Sequence, residues 1–413
     1  MTKGRGPFVC ILRGVCHIWE DAALLQRGEH RLRESLQRAA LLPCVVPFSE
    51  LLPGFLLSAA YWLIDIVWDP TPLLSQRPAF VFVLCVLGGF AIACWDGHFK
   101  TDPKSFSDVM AEVKRTGAYD GGPALAGIVS FLLPIVFGGS VGVAAGLVGV
   151  IAASCTRIQR RVLEVAHVAR LVRPQRLLVN TTLAFFVVGA CVLCTAFLGG
   201  GVPLPRFGAV ELEGSLLMYS AVLALLGWML LLLYLCSVRI SKRVASLFRK
   251  RAWLKPVVCG VCLGAAGSLL PFVLFPGPVQ VTEALVLRDS MAAALFIASG
   301  VAKVFFTAFC MNMSWVGGPF FPLIFAGCAV GLGVGAVLGI DAMLAAIVVS
   351  TALLASFSQR PLAAALVMML IVPLQGFPYV LIAAFVGALL PLPGVSSKSE
   401  GFVRKALKRG RNQ

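Results

Sequence analysis

Between Met291 and Leu390 the chain carries formal charge only at Lys303, Asp341 and Arg360. A stretch so apolar and so long cannot be solvated and has no polar face to turn to water. A membrane core about 30 Å thick takes ~20 apolar residues per crossing helix, so several crossings fit within this stretch alone. The rest of the sequence has the same texture, with 59% hydrophobic and 13% charged residues and a mean hydropathy of +0.91. Soluble chains carry roughly 25% charged residues, so a water-soluble enzyme is all but excluded. The apolar runs are continuous rather than alternating, which argues against a β-barrel. The sequence predicts an all-α polytopic membrane protein.

The 35 basic and 19 acidic residues give a net charge of +16, and the basic ones collect between apolar runs. Arg157 to Arg176, Arg239 to Lys255 and the tail from Lys398 to Arg411 are the densest groups. Cytoplasmic loops gather Lys and Arg. That rule places both termini and the 98–119, 157–176 and 239–255 segments in the cytoplasm, and the loops at 69–77, 199–214 and 276–290 outside. A multi-pass protein of the plasma (inner) membrane is expected. The basic residues are spread over several loops, so nucleic acid is not an expected partner. Residues 1–40 lack the apolar core and cleavage site of a signal peptide. Leu24, Leu25, Leu32 and Leu36 among Arg27 to Arg38 predict an amphipathic helix on the membrane face. The expected organisation is this segment, a transmembrane domain over 41–395 and a basic tail over 396–413.

Side-chain chemistry is sparse. The cysteines, Cys191 and Cys194 among them, lie mostly within apolar runs and read as small apolar residues. The histidines His17, His30, His98 and His167 show no ligand spacing. Neither metal nor cofactor is expected. Glu50, Asp65 and Asp341 are too far apart to suggest a membrane-embedded enzyme; Asp341 is expected to cap a helix starting at Ala342. Lys303 and Arg360 are expected to snorkel or to hydrogen-bond buried carbonyls. Trp62, Trp68, Trp95 and Trp228 lie near run ends or within runs, and some of them are expected to be interfacial anchors rather than ligand contacts.

The run from Gly121 to Ser154 is flanked on both sides by basic segments, so it must enter the membrane and return. It is too long for one span and short for two at ~20 residues each. A partial helix ending inside the membrane follows, with the turn near Gly138–Gly142. Such ends are tolerated where protein or a watery cavity surrounds them. A helix N-terminus there offers unpaired N–H groups and a partial positive charge, which attract anions. Gly317-Gly318-Pro319 interrupts the second half in the same way. Paired interruptions at matching positions of two halves point to a transporter's midplane site; the plainer reading is close helix packing.

Gly317-Gly318-Pro319-Phe320-Phe321-Pro322, followed by Leu323 to Gly327, resembles the GGxFxP motif of the CLC family of chloride channels and chloride/proton exchangers. Lys303 in its apolar helix, Leu270–Gln280, and Ser358-Gln359-Arg360-Pro361-Leu362 resemble further family elements in the same order. Gly138-Gly139-Ser140-Val141-Gly142 resembles the GGSxG that opens the family's GREGP motif. The resemblance covers most of 44–395 and implies an inverted-repeat fold with broken, partially spanning helices. It also implies an anion site at the backbone of Gly142, Val143 and Ala144 and of Phe320 and Phe321. Lys100 or Thr101 would stand where the family's GSGIP loop supplies a serine.

The departures bear on mechanism. Val143 and Ala144 occupy the place of the family's gating glutamate, and no counterpart of its proton-relay helix is recognisable between Arg173 and Gly201. Pro319 removes one amide from the motif. The expectation is therefore passive, proton-uncoupled transport of a small inorganic anion, with chloride foremost. The alternative is a degenerate, non-transporting relative acting as a scaffold or partner subunit. Membrane lipids are expected partners. A homodimer is carried by the resemblance, although the region contributing to the family's dimer interface is shortened between about 157 and 214.

Overall fold

The computed structural model describes residues 56, 58–68, 77–99, 124–143, 205–210 and 214–391. All lie in one of the two compact units into which the chain divides, that formed by 56–153 and 198–413. The expected amphipathic segment, the basic block at 157–176 and the tail lie outside the described residues.

The first helices are α1 (Ser58–Trp68), α2 (Pro78–Phe99), α3 (Ala124–Val136), α4 (Gly214–Leu247) and α5 (Leu254–Leu269). They are followed by α6 (Pro278–Val286), α7 (Ala293–Asn312), α8 (Phe320–Leu338), α9 (Ala342–Ser358), α10 (Pro361–Met368) and α11 (Phe377–Leu389). No strand occurs among the described residues. Stretches of α2, α4, α7 and α8 are long and apolar enough to cross a membrane. The 13 residues of α3 rise only about 20 Å at 1.5 Å each, too short to cross a core of about 30 Å. The broken-helix architecture expected from the run lengths is the one observed.

The ends of these helices have local causes. Asp341 caps α9 as expected: its Oδ1 accepts the Met343 N–H at 2.8 Å. The helix before it, α8, stops at Gly339, which takes the left-handed φ of 66°. In contrast, α4 overruns its expected limit. The apolar run ends at Cys236, yet the helix continues through Arg239, Lys242 and Arg243 to Leu247. Arg and Lys are good helix formers, and neither Gly nor Pro interrupts the chain between Trp228 and Pro256.

Every residue of α9 from Met343 to Ser356 is buried, as befits a helix that is apolar all round. Its neighbour α8 approaches it through small residues. A Cβ on Gly331 would lie 2.5 Å from the Ala345 oxygen and 2.6 Å from the Ala346 Cα. Where lipid removes the hydrophobic drive between helices, such close backbone packing supplies the association.

The buried residues form two clusters. The larger gathers α8 and α9 with parts of α4, α10 and α11. The smaller contains Trp68, Cys85, Cys259, Met313 and Trp315. Helix α7 contributes Val304 and Ala308 to the first and Phe309 and Cys310 to the second. Both glycine-rich interruptions reach the region where these clusters adjoin.

Candidate functional site

The interruption after α3 folds back on Pro134 in its last turn, whose carbonyl accepts the Gly139 N–H at 2.7 Å. Gly138 takes φ 82°, and the chain reverses into Ser140, Val141 and Gly142. The second interruption leaves α7 at Asn312 and reaches Gly317-Gly318 before α8. The two meet. Gly142 donates its N–H to the Gly318 carbonyl at 2.6 Å, and Gly318 donates to the Gly142 carbonyl at 2.9 Å. This is an isolated antiparallel bridge, in which each turn treats the other as it is itself treated.

Only glycine fits this crossing. A Cβ on Gly142 would lie 2.9 Å from the Gly318 oxygen and 3.1 Å from Pro322 Cδ. One on Gly317 would come within 2.5 Å of Val141 Cβ, and one on Gly139 within 2.8 Å of Trp315 Cε3.

Two tryptophans brace the turns. The Trp68 indole donates to the Val136 carbonyl at 2.7 Å, satisfying an orphan acceptor at the end of α3. Trp315, fully buried, donates to the Pro256 carbonyl in α5 at 3.1 Å. Trp68 is thus 8% exposed and a clamp, rather than the interfacial anchor that its place near a run end suggests. Buried Ser140 lies with its Oγ 3.3 Å from Thr307 Oγ1. Thr307 spends its proton on the Lys303 carbonyl at 2.7 Å, so Ser140 is the donor of the pair.

Lys303, fully buried, is the strongest polar feature of the region. Its Nζ lies 3.1 Å from the carbonyl oxygens of Phe272 and Val273, 2.5 Å from that of Leu274 and 2.6 Å from that of Phe275. It also sits 5.3 Å from the centroid of the Phe325 ring, within cation–π range. Four carbonyls thus surround three N–H donors. Phe275 takes φ 64°, a conformation unusual for an aromatic residue. It is held there by this bond and by donating its own N–H to the Gly138 carbonyl at 3.1 Å. The chain of contacts runs from Lys303 through Phe275 to the first glycine turn. Of the two arrangements expected for Lys303, it adopts the carbonyl-bonded one.

The sequence-derived site residues now have places. Gly142 is in the bridge, and its N–H is committed there. Val143 follows it and is buried. Phe320 and Phe321 open α8, where Pro319 occupies the N-cap and its carbonyl accepts the Leu323 N–H at 2.9 Å. The first-turn amides of a helix lack intrahelical acceptors. Pro319 and Pro322 have no N–H, so Phe320 and Phe321 supply the donors of this turn. Lys100, Thr101 and Ala144 lie outside the described residues. Beside the Gly138 turn is a cavity of about 270 Å³ lined by Tyr61, Asp65, Trp68, Phe275, Gln280 and Glu283, among others.

These features belong to a known architecture. A family model described as voltage gated chloride channel matches residues 168–391, more than half of the sequence, and the chain belongs to that family, the CLC proteins. Among solved structures, a CLC-type fluoride/proton antiporter superposes with a TM-score of 0.63 at 15% identity, covering 85% of this chain and 95% of its own. A slow cyanobacterial Cl-/H+ antiporter gives 0.63 at 14% identity, covering 89% and 98%. A eukaryotic CLC transporter gives 0.58 at 16%, covering 86% and 72%. Comparison of the sequence with curated proteins gives no match. The chain is a multi-pass integral membrane protein with the CLC fold.

Proposed function

We propose that this protein carries a small monovalent anion, chloride foremost, passively across the membrane without coupling to protons. The observation that carries the reading is the reciprocal Gly142–Gly318 bridge. It brings the first glycine turn against the segment that opens α8, where the amides of Phe320 and Phe321, together with those of Val143 and Ala144, are the proposed donors. Neutral amide donors attract an anion without a fixed countercharge, and binding of that strength lets the ion leave again. Neither turn carries Asp or Glu: 137–144 reads Phe-Gly-Gly-Ser-Val-Gly-Val-Ala, and Met313 to Pro322 has no acid. Without a carboxylate in either turn, a proton exchanged for the anion has no acceptor there. Lys100 and Thr101 are proposed as the polar groups at one mouth.

Two of the superposing structures are of proton-coupled antiporters, so coupling is the point to measure. Purified protein in liposomes, loaded with chloride or fluoride, is followed with an anion electrode and an internal pH dye. Anion efflux without proton movement is expected. Absence of efflux from folded protein would instead favour the non-transporting scaffold. Anion efflux with stoichiometric proton flux would overturn uncoupled transport. The cavity beside Gly138 is lined by Asp65 and Glu283, and loss of that flux in D65N/E283Q would locate the proton carriers.

A further inference from the structure

We propose that the turn between α4 and α5, with the last helical turns of α4, is a binding site for the headgroup of an anionic phospholipid. This inference is independent of the transport reading.

The argument starts from length. The 34 residues of α4 rise about 51 Å at 1.5 Å each, well beyond a hydrocarbon core of about 30 Å. The C-terminal portion must therefore pass through the headgroup layer. Its polar residues are ordered by the helix. Arg243 and Leu247 are i, i+4 neighbours, with Lys242 beside them. These three are exposed, whereas Ser241 and Ala245 on the opposite face are buried. Val244 and Phe248 pack against the smaller hydrophobic cluster. One face is thus bolted to the protein while the other presents cations.

The turn that follows is ordered too. Arg249 donates its N–H to the Ser246 carbonyl at 3.2 Å, Arg251 to Phe248 at 3.0 Å, Leu254 to Arg251 at 3.0 Å and Lys255 to Ala252 at 3.1 Å. Arg249, Lys250 and Arg251 are exposed on it. Just beyond, the Pro256 carbonyl receives the Trp315 indole, so the turn is pinned at its far end to the glycine crossing. From Glu213 to Glu283 the sequence contains no acidic residue between those two, so the segment carries no carboxylate of its own.

The apolar rim identifies the partner. Leu247 is 78% and Trp253 54% exposed, within a few residues of the cations. Exposed Trp beside Lys and Arg suits the level where acyl chain meets headgroup. A soluble polyanion would find the charges but gain nothing from Leu247 and Trp253. An anionic phospholipid meets both. A basic segment that merely fixes orientation needs neither this one-sided helical display nor the ordered turn.

The test uses the full-length protein in detergent, with its melting midpoint followed as lipid is added. Ligands that bind only the folded state raise the midpoint in proportion to occupancy. Phosphatidylglycerol should raise the parent's midpoint, and 0.5 M salt should blunt the rise. Phosphatidylcholine and inorganic phosphate should not raise it. Each Lys or Arg near an anionic surface contributes about fivefold, so R249Q/K250Q/R251Q should need on the order of 100-fold more phosphatidylglycerol. If that variant fails to fold, K242Q/R243Q should need on the order of 25-fold more. Equal responses of parent and folded variant would overturn the proposal. So would a response to phosphatidylcholine matching that to phosphatidylglycerol, or one to phosphate alone.

Discussion

Replacing Lys303 by Met would test the link between the carbonyl cage and the first glycine turn. The substitution keeps an unbranched chain of similar volume, so the packing change is small. What it removes is the ammonium bonded to the carbonyls of Phe272, Val273, Leu274 and Phe275. Hydrogen bonds from a charged donor are worth about 1.5–3 kcal/mol each, and an ammonium makes three at a time. Against that sum stands the cost of burying the charge, which K303M relieves. What remains is buried carbonyls without a donor, each costing about 1–3 kcal/mol, and with the relieved charge set against their sum we take about 3–5 kcal/mol net. The melting midpoint of purified K303M should fall by roughly 10 °C. The loss should also be local. The Phe275 N–H, which donates to Gly138, should exchange with deuterium faster at temperatures where the variant is still folded. Lys303→Arg should rescue poorly, because a planar fork does not fit a ring of four carbonyls built around a point charge. A midpoint within about 1 °C of the parent, with unchanged exchange at Phe275, would refute the reasoning.

Gly142→Ala should abolish folded, monodisperse protein in size-exclusion chromatography, since its Cβ would lie 2.9 Å from the Gly318 oxygen, whereas Gly97→Ala, whose Cβ meets nothing within 4 Å, should elute as the parent does. Phe320→Pro removes one of the two amides proposed as donors at α8; in protein that still elutes as folded, anion efflux should fall at least about tenfold, the loss of roughly one charge-assisted hydrogen bond. Asp341→Ala deletes the cap on Met343 and should cost about 1 kcal/mol, read as a small drop in melting midpoint with efflux unchanged.

The glycine crossing was legible in the sequence because its signals are local. Gly138–Gly142 and Gly317-Gly318 each interrupt an apolar run, and the length of the first run forces a partial helix. Asp341 was legible for the same reason, since a cap acts within one turn. That the two turns would bond to each other could only be guessed from their matching positions. The cage around Lys303 illustrates the harder case. Its acceptors are main-chain carbonyls about 30 residues upstream, and a carbonyl has no letter in the sequence. The overrun of α4 was missed because hydropathy marks where the membrane ends, whereas helix propensity decides where the helix ends. Trp68 and Trp315 escaped for another reason. A tryptophan near the end of an apolar run has the same pattern whether it faces lipid or bonds a buried carbonyl.

The crossing of the two turns uses main-chain atoms alone. Its two hydrogen bonds ask nothing of either residue except that it be small. Geometry held in this way is nearly blind to the side chains around it, so the lining of a pathway can be rewritten while its scaffold stays in register. A chain at 14% identity can therefore still superpose with a TM-score of 0.63. The same pairing removes a freedom. Shifting either turn by one residue breaks both bonds together, so the two turns can diverge in their neighbours but must keep their register with each other.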